Sequence, residues 1–487
     1  MVDIFNQSPV YELQEHGIIT HPGIEESWSI EKFRENLRVF ISNLSETLEF
    51  DLINIDCSFA NAIRRVLIAE VPSVSIERVY LRQNTSIMPD EVFCHRLGLI
   101  PLTVDPKLLG FPSKPLPASD ELSDFNPAEH LIFDLKVCFN KTSAKPTAGR
   151  SGKDVPSEMN IPSVRSLSVY SSELQWVPLP GQENFKGDAP AVVSQTILIN
   201  KLAVGDELEA RCVAVKGIGR DHAKFSPVSA AYYKFMPIIK LLRPIEGDEA
   251  RLLQSSFAPG VIGIDPQTEQ AYVSNPRLDN GSREHLRHPG FRKDSVFVGT
   301  CPTHCVFTVE SISSTHRPPA RLVRSAIEVM INKCKHYLAI IKKPEFGDMS
   351  AENLDAKEEL SGKAQTSHGN MESVRGQLNG REVGLEVAHT SPDKQRITYT
   401  FHGEDHTLGL ALRFCILHRP TGRVNFEAVA SILWPPPPHL TYYSSFGGSA
   451  NEVLREGLQC LQDCFVHLKS AFKQALVEYN NRTTEMK

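Results

Sequence analysis

No apolar run in this chain approaches the roughly 18–20 residues of a membrane-spanning helix. The opening stretch, MVDIFNQSPVYELQEHG, is polar and acidic and has no apolar core, so no secretory signal is expected. A basic excess is missing too. Net charge is −6 over 487 residues, with a pI near 6.3. Chains that grip nucleic acid over a broad surface are usually basic, so extensive direct contact with DNA or RNA is not expected. Paired CxxC knuckles, the usual source of a four-ligand structural zinc site, do not occur among the ten cysteines. These are scattered among apolar neighbours, as reduced cysteines of a cytosolic or nuclear protein are. Cys301 and Cys305 flank His304, a possible third ligand, but no fourth is evident. Cys460 and Cys464 sit four apart on a leucine-rich helix, where core packing is the expectation. No GxGxxG is present, and KGIGRDH (216–222) lacks the βαβ context of a phosphate cradle, so a structured loop is expected there. No Ser-His-Asp order, Cys-His pairing or carboxylate dyad stands out, although a dispersed triad would leave no such order.

What remains is an ordinary globular composition, 41% hydrophobic and 23% charged, enough for two or three domains with proper cores. Residues 1–30 lack periodicity and read as an N-terminal arm. SIEKFRENLRVFISNL reads as helical. LEFDLINI (48–55) alternates as a half-buried strand does. Ser58 is the expected cap of a helix whose stripe is Phe59, Ala62, Ile63, Val66 and Leu67. SIERVYLRQN reads as a strand. DEVFCHRLGLIPL (90–102) reads as a helix with Asp90 and Glu91 in its first turn, a stop at Gly98 and a buried strand. Residues 105–190 are rich in Pro, Ser, Lys and Asp and read as long loops on a mainly β insertion. Further strands are expected in AVVSQTILINKL, DELEARCVAVKG and VFTVESIS. A long helix spans 320–343. Residues 344–382 carry many charges with scattered Gly and Ser and read as a flexible linker, whose coil reach would be roughly 30–40 Å. A second body begins near residue 383. It holds ITYTF, an acidic turn, an apolar helix run, two strand-like stretches about Pro435–Pro438, and a long amphipathic helix.

The second body repeats a unit of the first. Asp56 and Asp405 lie 349 residues apart. At that same offset Leu48, Phe50 and Leu52 fall on Ile397, Tyr399 and Phe401. Ser58 then falls on Thr407, Phe59 on Leu408, Ala62 on Ala411, Ile63 on Leu412 and Arg64 on Arg413. Position 65 breaks the match in charge, with Arg65 facing Phe414. His402, Glu404, Asp405 and His406 crowd one turn. Asp405 and Thr407 nonetheless stand where N-cap and first-turn residues belong, so a helix start is expected rather than a metal or acid–base site. Two such units with matching apolar helices can pack about a pseudo-twofold axis.

These residues carry a resemblance. EDHTLGLALR resembles the EDHTLGNALR signature of the smaller α-like subunit of eukaryotic RNA polymerases. ANAIRRVLIAEVPSVSIERV, NTSIMPDEVFCHRLGLIPL and VKGIGRDHAKFSPV resemble the larger α-like subunit. The larger match runs from about 30 to 343 and the smaller from about 383 to 480. Together they look like a fusion of the two α-like subunits shared by polymerases I and III, relatives of the archaeal D/L pair and the bacterial α subunit. A mistaken join of neighbouring reading frames is the alternative origin. A polymerase II-type counterpart is the alternative reading, and its metal-binding insertion is what this chain lacks. There is no cysteine between Cys94 and Cys138 and none over 244–290.

The resemblance implies an α+β fold of two related dimerisation bodies of antiparallel strands and helices. The first body, 31–80 with 290–343, would be interrupted by the insertion at 81–289, and the second would be 383–487. It implies no cofactor, no metal and no catalytic site. The expected role is a non-catalytic platform on which the largest and second-largest polymerase subunits assemble, with small zinc-binding subunits nearby. DNA would be met only through the complex, no membrane would be involved, and the location would be the nucleus, in nucleolus and nucleoplasm. The expected pairing interface is Phe59, Ile63, Val66 and Leu67 against Leu408, Leu412, Cys415 and Ile416, with Leu461, Phe465 and Leu468 on the final helix. By resemblance Arg65 contacts the second-largest subunit, the alternative being that Arg64 and Arg65 only solvate an outer face. Phe414 would then face another partner, the largest subunit. Lys216, Arg220, His222 and Lys224 are expected at a further subunit contact.

Overall fold

The structure is a computed structural model that describes residues 10–14, 17–21, 28–139, 166–185, 189–291, 295–313, 316–341, 372–378, 381–389, 396–418, 428–432, 438–443 and 450–485. Most of the expected arm, the KTSAKPTAGRSGKDVPSEM stretch, the last two residues of the helix expected over 320–343, residues 344–371 of the expected linker and residues 433–437 lie outside these. The chain divides into two compact units. One comprises Met1–Val66, Ala230–Glu310 and Pro319–Lys487; the other comprises Leu67–Ser229 and Ser311–Pro318.

The chain opens with β1 (Val10–Leu13), β2 (Ile18–His21), α1 (Ile30–Asn36), β3 (Arg38–Leu44), β4 (Thr47–Ile53) and α2 (Cys57–Ala69). The stretch expected to be one helix is therefore split. The Ser29 hydroxyl caps α1, and Leu37 ends it. The β-branched and aromatic run RVFISNL then pairs antiparallel with β4, because such side chains favour a half-buried pleated surface over a helix. Helix α2 is capped by Asp56 rather than by Ser58. The Ser58 backbone N–H donates to Asp56 Oδ1 at 2.8 Å. Asn54, just ahead, has φ 62°, a left-handed turn that aims the chain from β4 into the helix.

The next elements are β5 (Ser73–Asn84), α3 (Asp90–Gly98), β6 (His130–Cys138), β7 (Leu167–Tyr170), β8 (Gln175–Val177), β9 (Leu198–Leu202), β10 (Glu207–Gly217) and β11 (Val228–Leu241). In the smaller unit β5, β10, β6 and β8 form one antiparallel sheet, and β7 pairs with β9. Its larger core cluster includes Ile76, Phe93, Leu97, Phe133, Leu135 and Cys212, and a smaller one comprises Phe125, Ile132, Leu179 and Val213. The buried strand expected after Gly98 reduces to one bridge, Leu102 to Val192.

The remainder is α4 (Gly247–Ser256), β12 (Ile262–Ile264), β13 (Ala271–Val273), β14 (Val296–Ser311), α5 (Pro319–Ile341), β15 (Glu372–Leu378), β16 (Arg381–His389), β17 (Arg396–His402), α6 (His406–Leu417), β18 (Ala428–Ile432), β19 (Pro438–Tyr443) and α7 (Ala450–Glu485). The larger unit contains two sheets of chief interest. One has the order β2-β1-β14-β4-β3, with β11 also on β14; the other is β15-β16-β17-β19-β18. Residues 230–289 belong with this unit rather than with the insertion. Strand β11 joins its sheet, and Ile239, Ile245, Leu253 and Phe257 share a core with Val296 and Val298. The stretch read as linker is also shorter than expected. Residues 372–378 pair with 381–387 in a hairpin, and Asn379-Gly380 between them is the strongest short hairpin signal a sequence carries.

The 349-residue offset recurs in the elements. It carries Thr47–Ile53 onto Arg396–His402 and the start of α2 onto the start of α6. It carries left-handed Asn54 onto left-handed Gly403, φ 79°. Each unit's central strand lies between an upstream neighbour and a downstream one, β3-β4-β14 and β16-β17-β19. Each downstream strand leads into a long helix, α5 or α7.

The glycines of KGIGRDH serve close packing. A Cβ on Gly219 would lie 2.1 Å from the Ile68 carbonyl oxygen, and one on Gly217 would lie 2.7 Å from the Phe225 ring. Gly219→Ala forces backbone apart, so it should destabilise the smaller unit by at least the ~1–3 kcal/mol of an overpacked core. Denaturant unfolding checks this; an unchanged midpoint would show that the approach relaxes freely.

Candidate functional site

The site is built on the acidic turn ahead of α6. Asp405 caps that helix, its Oδ1 accepting from the Thr407 backbone N–H at 2.9 Å. Its other oxygen receives Arg65 Nη2 at 3.0 Å, and Arg65 Nε donates to Thr407 Oγ1 at 2.9 Å. One fork thus reads both the cap and the first-turn hydroxyl. Glu404 points the other way, into the interior. Lys333 Nζ on α5 reaches Glu404 Oε2 at 2.6 Å, with side-chain exposures of 4% and 2%. Tyr337 Oη lies 3.4 Å from the second carboxylate oxygen. The tempting cluster His402, Glu404, Asp405 and His406 is therefore a docking turn, with both acids committed to cations from earlier in the chain.

Aromatic rings surround it. Phe59 on α2 meets Phe414 at 5.5 Å and Phe465 at 5.6 Å, and also stacks on Phe33 at 6.0 Å. Phe50 meets Phe472 at 5.4 Å, and Tyr337 meets Phe401 at 5.0 Å. Helix α7 packs along α5 and reaches β3 and α1. Tyr479 Oη accepts from the Leu44 backbone N–H at 3.3 Å, and the Arg482 guanidinium lies 4.7 Å over the Phe40 ring. The rim pair Lys469–Glu328, 2.9 Å apart, is more than a third exposed on both sides, so solvent screening leaves it little weight.

All eleven residues expected at the interface are buried: Phe59, Ile63, Val66, Leu67, Leu408, Leu412, Cys415, Ile416, Leu461, Phe465 and Leu468. Each large apolar side chain so placed is worth about 1.5–3 kcal/mol of transfer free energy. Arg65 is engaged within the chain, while keeping 39% of its side chain exposed. Phe414 is half-buried. Trp28 packs on it at 5.4 Å and Phe59 from another side, so the replacement of Arg65 by a ring at the repeat-related position completes an aromatic cluster.

Sequence reading missed Lys333, counted only as part of a helix, and the inward role of Glu404. A signal was present. At the 349-residue offset Glu404 stands on Ile55, which is buried. A carboxylate at an apolar position of the repeat calls for a buried cation.

The other candidates fall elsewhere. His304 Nε2 lies 3.0 Å from Asp51 Oδ2, and Arg277 Nη1 is 2.7 Å from both Asp51 oxygens. Burial pushes the Asp51 carboxyl up, but hydrogen bonds from His304 and Arg277 outweigh it and hold the group below the usual carboxylate range. Cys301 Sγ faces Thr303 Oγ1 at 3.3 Å. Cys305 is fully buried four residues further along the strand, a separation of about 13 Å on a strand. In the smaller unit Lys216 Nζ donates to the Leu109 carbonyl at 3.0 Å, and burial lowers its pKa. Lys224 Nζ pairs with Glu77 at 2.6 Å. His222 Nδ1 accepts from the Lys224 backbone N–H at 3.1 Å. The backbone N–H of Arg220 donates to the Ala69 carbonyl at 2.8 Å.

The long helices α5 and α7 pack together, and a buried ionic contact holds the turn ahead of α6 to α5. The RNA polymerase Rpb3/Rpb11 dimerisation domain matches residues 49–334, and the chain belongs to that family. It is similar to the DNA-directed RNA polymerases I and III subunit RPAC1 of Saccharomyces cerevisiae, 40% identical over 314 residues, 64% of this chain and 90% of that protein. The Homo sapiens protein of the same name is 38% identical over 322 residues, 65% of this chain and 88% of its own length. The RNA polymerase II subunit rpb3 of Dictyostelium discoideum is 34% identical over 297 residues, 59% and 89% of the two chains.

Lys333→Met should destabilise the larger unit by about 3–5 kcal/mol, because it leaves a buried carboxylate unpaired. Adding Glu404→Ile, the residue at the repeat-related position, should restore most of that loss. Thermal unfolding of the two singles and the double checks it. A double variant as unstable as the sum of the singles would contradict the pairing.

Proposed function

We propose that this chain is a non-catalytic assembly subunit of DNA-directed RNA polymerases I and III, carrying both halves of an α-like heterodimer on one polypeptide. The observation that carries the reading is the buried contact of Glu404, Asp405 and α7 with Lys333, Arg65, Phe59 and Phe50. It joins the stretch resembling the smaller α-like subunit to the stretch resembling the larger one. The I and III assignment rests on relatives named for those enzymes at 38–40% identity, and on the absence of cysteines over 95–137 and 244–290.

In this reading the two related bodies pair about a pseudo-twofold axis and present outer faces to the largest and second-largest subunits, with small zinc-binding subunits beside the insertion. The exposed part of the Arg65 guanidinium is then available to the second-largest subunit while its inner edge grips Asp405. Work takes place in the nucleus, in nucleolus and nucleoplasm, and DNA is met only through the assembled enzyme. The linker lies within 342–371.

The test is affinity purification of the tagged chain from nuclear extract, with each component quantified by mass spectrometry. The large subunits of polymerases I and III should be recovered stoichiometrically, with one intact chain of about 54 kDa and no separate smaller α-like subunit. Recovery of a separate smaller subunit at equal stoichiometry would contradict the fused heterodimer. Recovery of polymerase II large subunits would move the chain to the alternative reading.

A further inference from the structure

Three thiols converge where α6 crosses α7. Cys415 comes from α6, Cys460 and Cys464 from successive turns of α7, and all three Sγ atoms lie within 4.8 Å of one another. The crossing is close because position 457 carries no side chain. A Cβ there would stand 2.5 Å from Ile416 Cγ1 and 3.4 Å from Leu412 Cδ1. One turn beyond that contact, the Cys415 side chain arrives against the pair on α7. Cys415 and Cys464 are buried and Cys460 is half-buried, which leaves one side of the cluster open to an arriving ion.

We propose that Cys415, Cys460 and Cys464 form a three-thiolate site for a single thiophilic d10 cation, zinc(II) or a softer congener, which ties α6 to α7. Nothing in the polymerase reading requires this site. Three sulfurs around one such ion at a bond length near 2.3 Å stand about 3.8–4.0 Å apart, so the observed cluster needs only a small contraction. Soft thiolate sets select zinc and copper(I) over hard cations. Among the described residues no other histidine, cysteine or carboxylate joins the group, so a tetrahedral ion would complete its shell with solvent on the Cys460 side. Binding replaces the three S–H bonds by S–metal bonds and releases their protons to solvent, with no change of oxidation state. A disulfide between any two of the three would need an oxidant and would leave the third thiol unused. Reducing compartments disfavour it.

The experiment titrates the full-length, reduced, metal-free chain with cadmium(II) alone and then zinc(II) alone. It follows the thiolate-to-cadmium charge-transfer absorption and the thermal midpoint. One equivalent should bind, with a band of three-thiolate intensity and a raised midpoint. Cys460→Ser, at the half-buried position, should cut the band by about one third. It should also weaken binding by more than the roughly tenfold to hundredfold that even outer partners of a metal contribute. Cys464→Ser should do the same, while Cys301→Ser, half-buried elsewhere, should leave both readouts unchanged. Circular dichroism of each apo variant separates loss of the site from loss of the fold. No stoichiometric band in the wild-type chain, or a band indifferent to both Cys460→Ser and Cys464→Ser, would overturn the proposal and leave three packed thiols.

Discussion

A buried lysine beside a buried glutamate is the constraint on which the larger unit turns. Lys333 and Glu404 are nearly solvent-free and 2.6 Å apart. Burying two charges costs several kcal/mol each, and their attraction repays this only in good geometry with further hydrogen bonds. Tyr337 supplies one of those bonds, and the Arg65–Asp405–Thr407 fork fixes the next residues of the same turn. The turn ahead of α6 therefore meets α5 in one register. A slip by a single residue would bury Glu404 against hydrocarbon. The ionic contact decides which surfaces belong together, because leaving either charge buried and unpaired is costly.

The repeat makes that division clear. Where the two units agree, at Phe59/Leu408, Ile63/Leu412 and Asp56/Asp405, the residues build the same strand–turn–helix. Where they disagree, at Ile55/Glu404 and Arg65/Phe414, the residues make the pairing unequal. Arg65 grips the cap of α6, while Phe414 fills the space between Trp28 and Phe59. Any partner that lacks a cation at the place of Lys333 leaves Glu404 uncompensated. The asymmetry thus favours a mixed pair over two like units.

Much of this was legible in the sequence. The 349-residue offset, the apolar stripes and all eleven buried positions follow from periodicity of 3.6 and 2 residues. Asp405 as a helix start follows from capping chemistry. Other features resisted for identifiable reasons. RVFISNL read as helix because its neighbours carry helical charge spacing, yet its β-branched residues had a strand partner in β4. Strand β15 hid inside a polar stretch, although Asn379-Gly380 marked it. The assignment of β11, α4 and β13 to the larger unit depends on long-range pairing, which no local pattern encodes. The partners of Glu404 and Arg65 lie 71 and 340 residues away, beyond any motif. Cys415 and the pair on α7 looked like unrelated core thiols until the Gly457 crossing brought them together.

The contacts of Glu404, Asp405 and α7 with Lys333, Arg65 and Phe50 hold residues 372–485 to the N-terminal part of the chain by surfaces that need no covalent link. The most direct measurement places a specific protease site within 342–371 of the intact chain, cleaves it, and follows the two fragments by analytical ultracentrifugation on dilution to nanomolar concentration. A single one-to-one species should persist after cleavage and fall apart when Lys333→Met is introduced. Fragments of the unsubstituted chain that sediment separately at nanomolar concentration would contradict it.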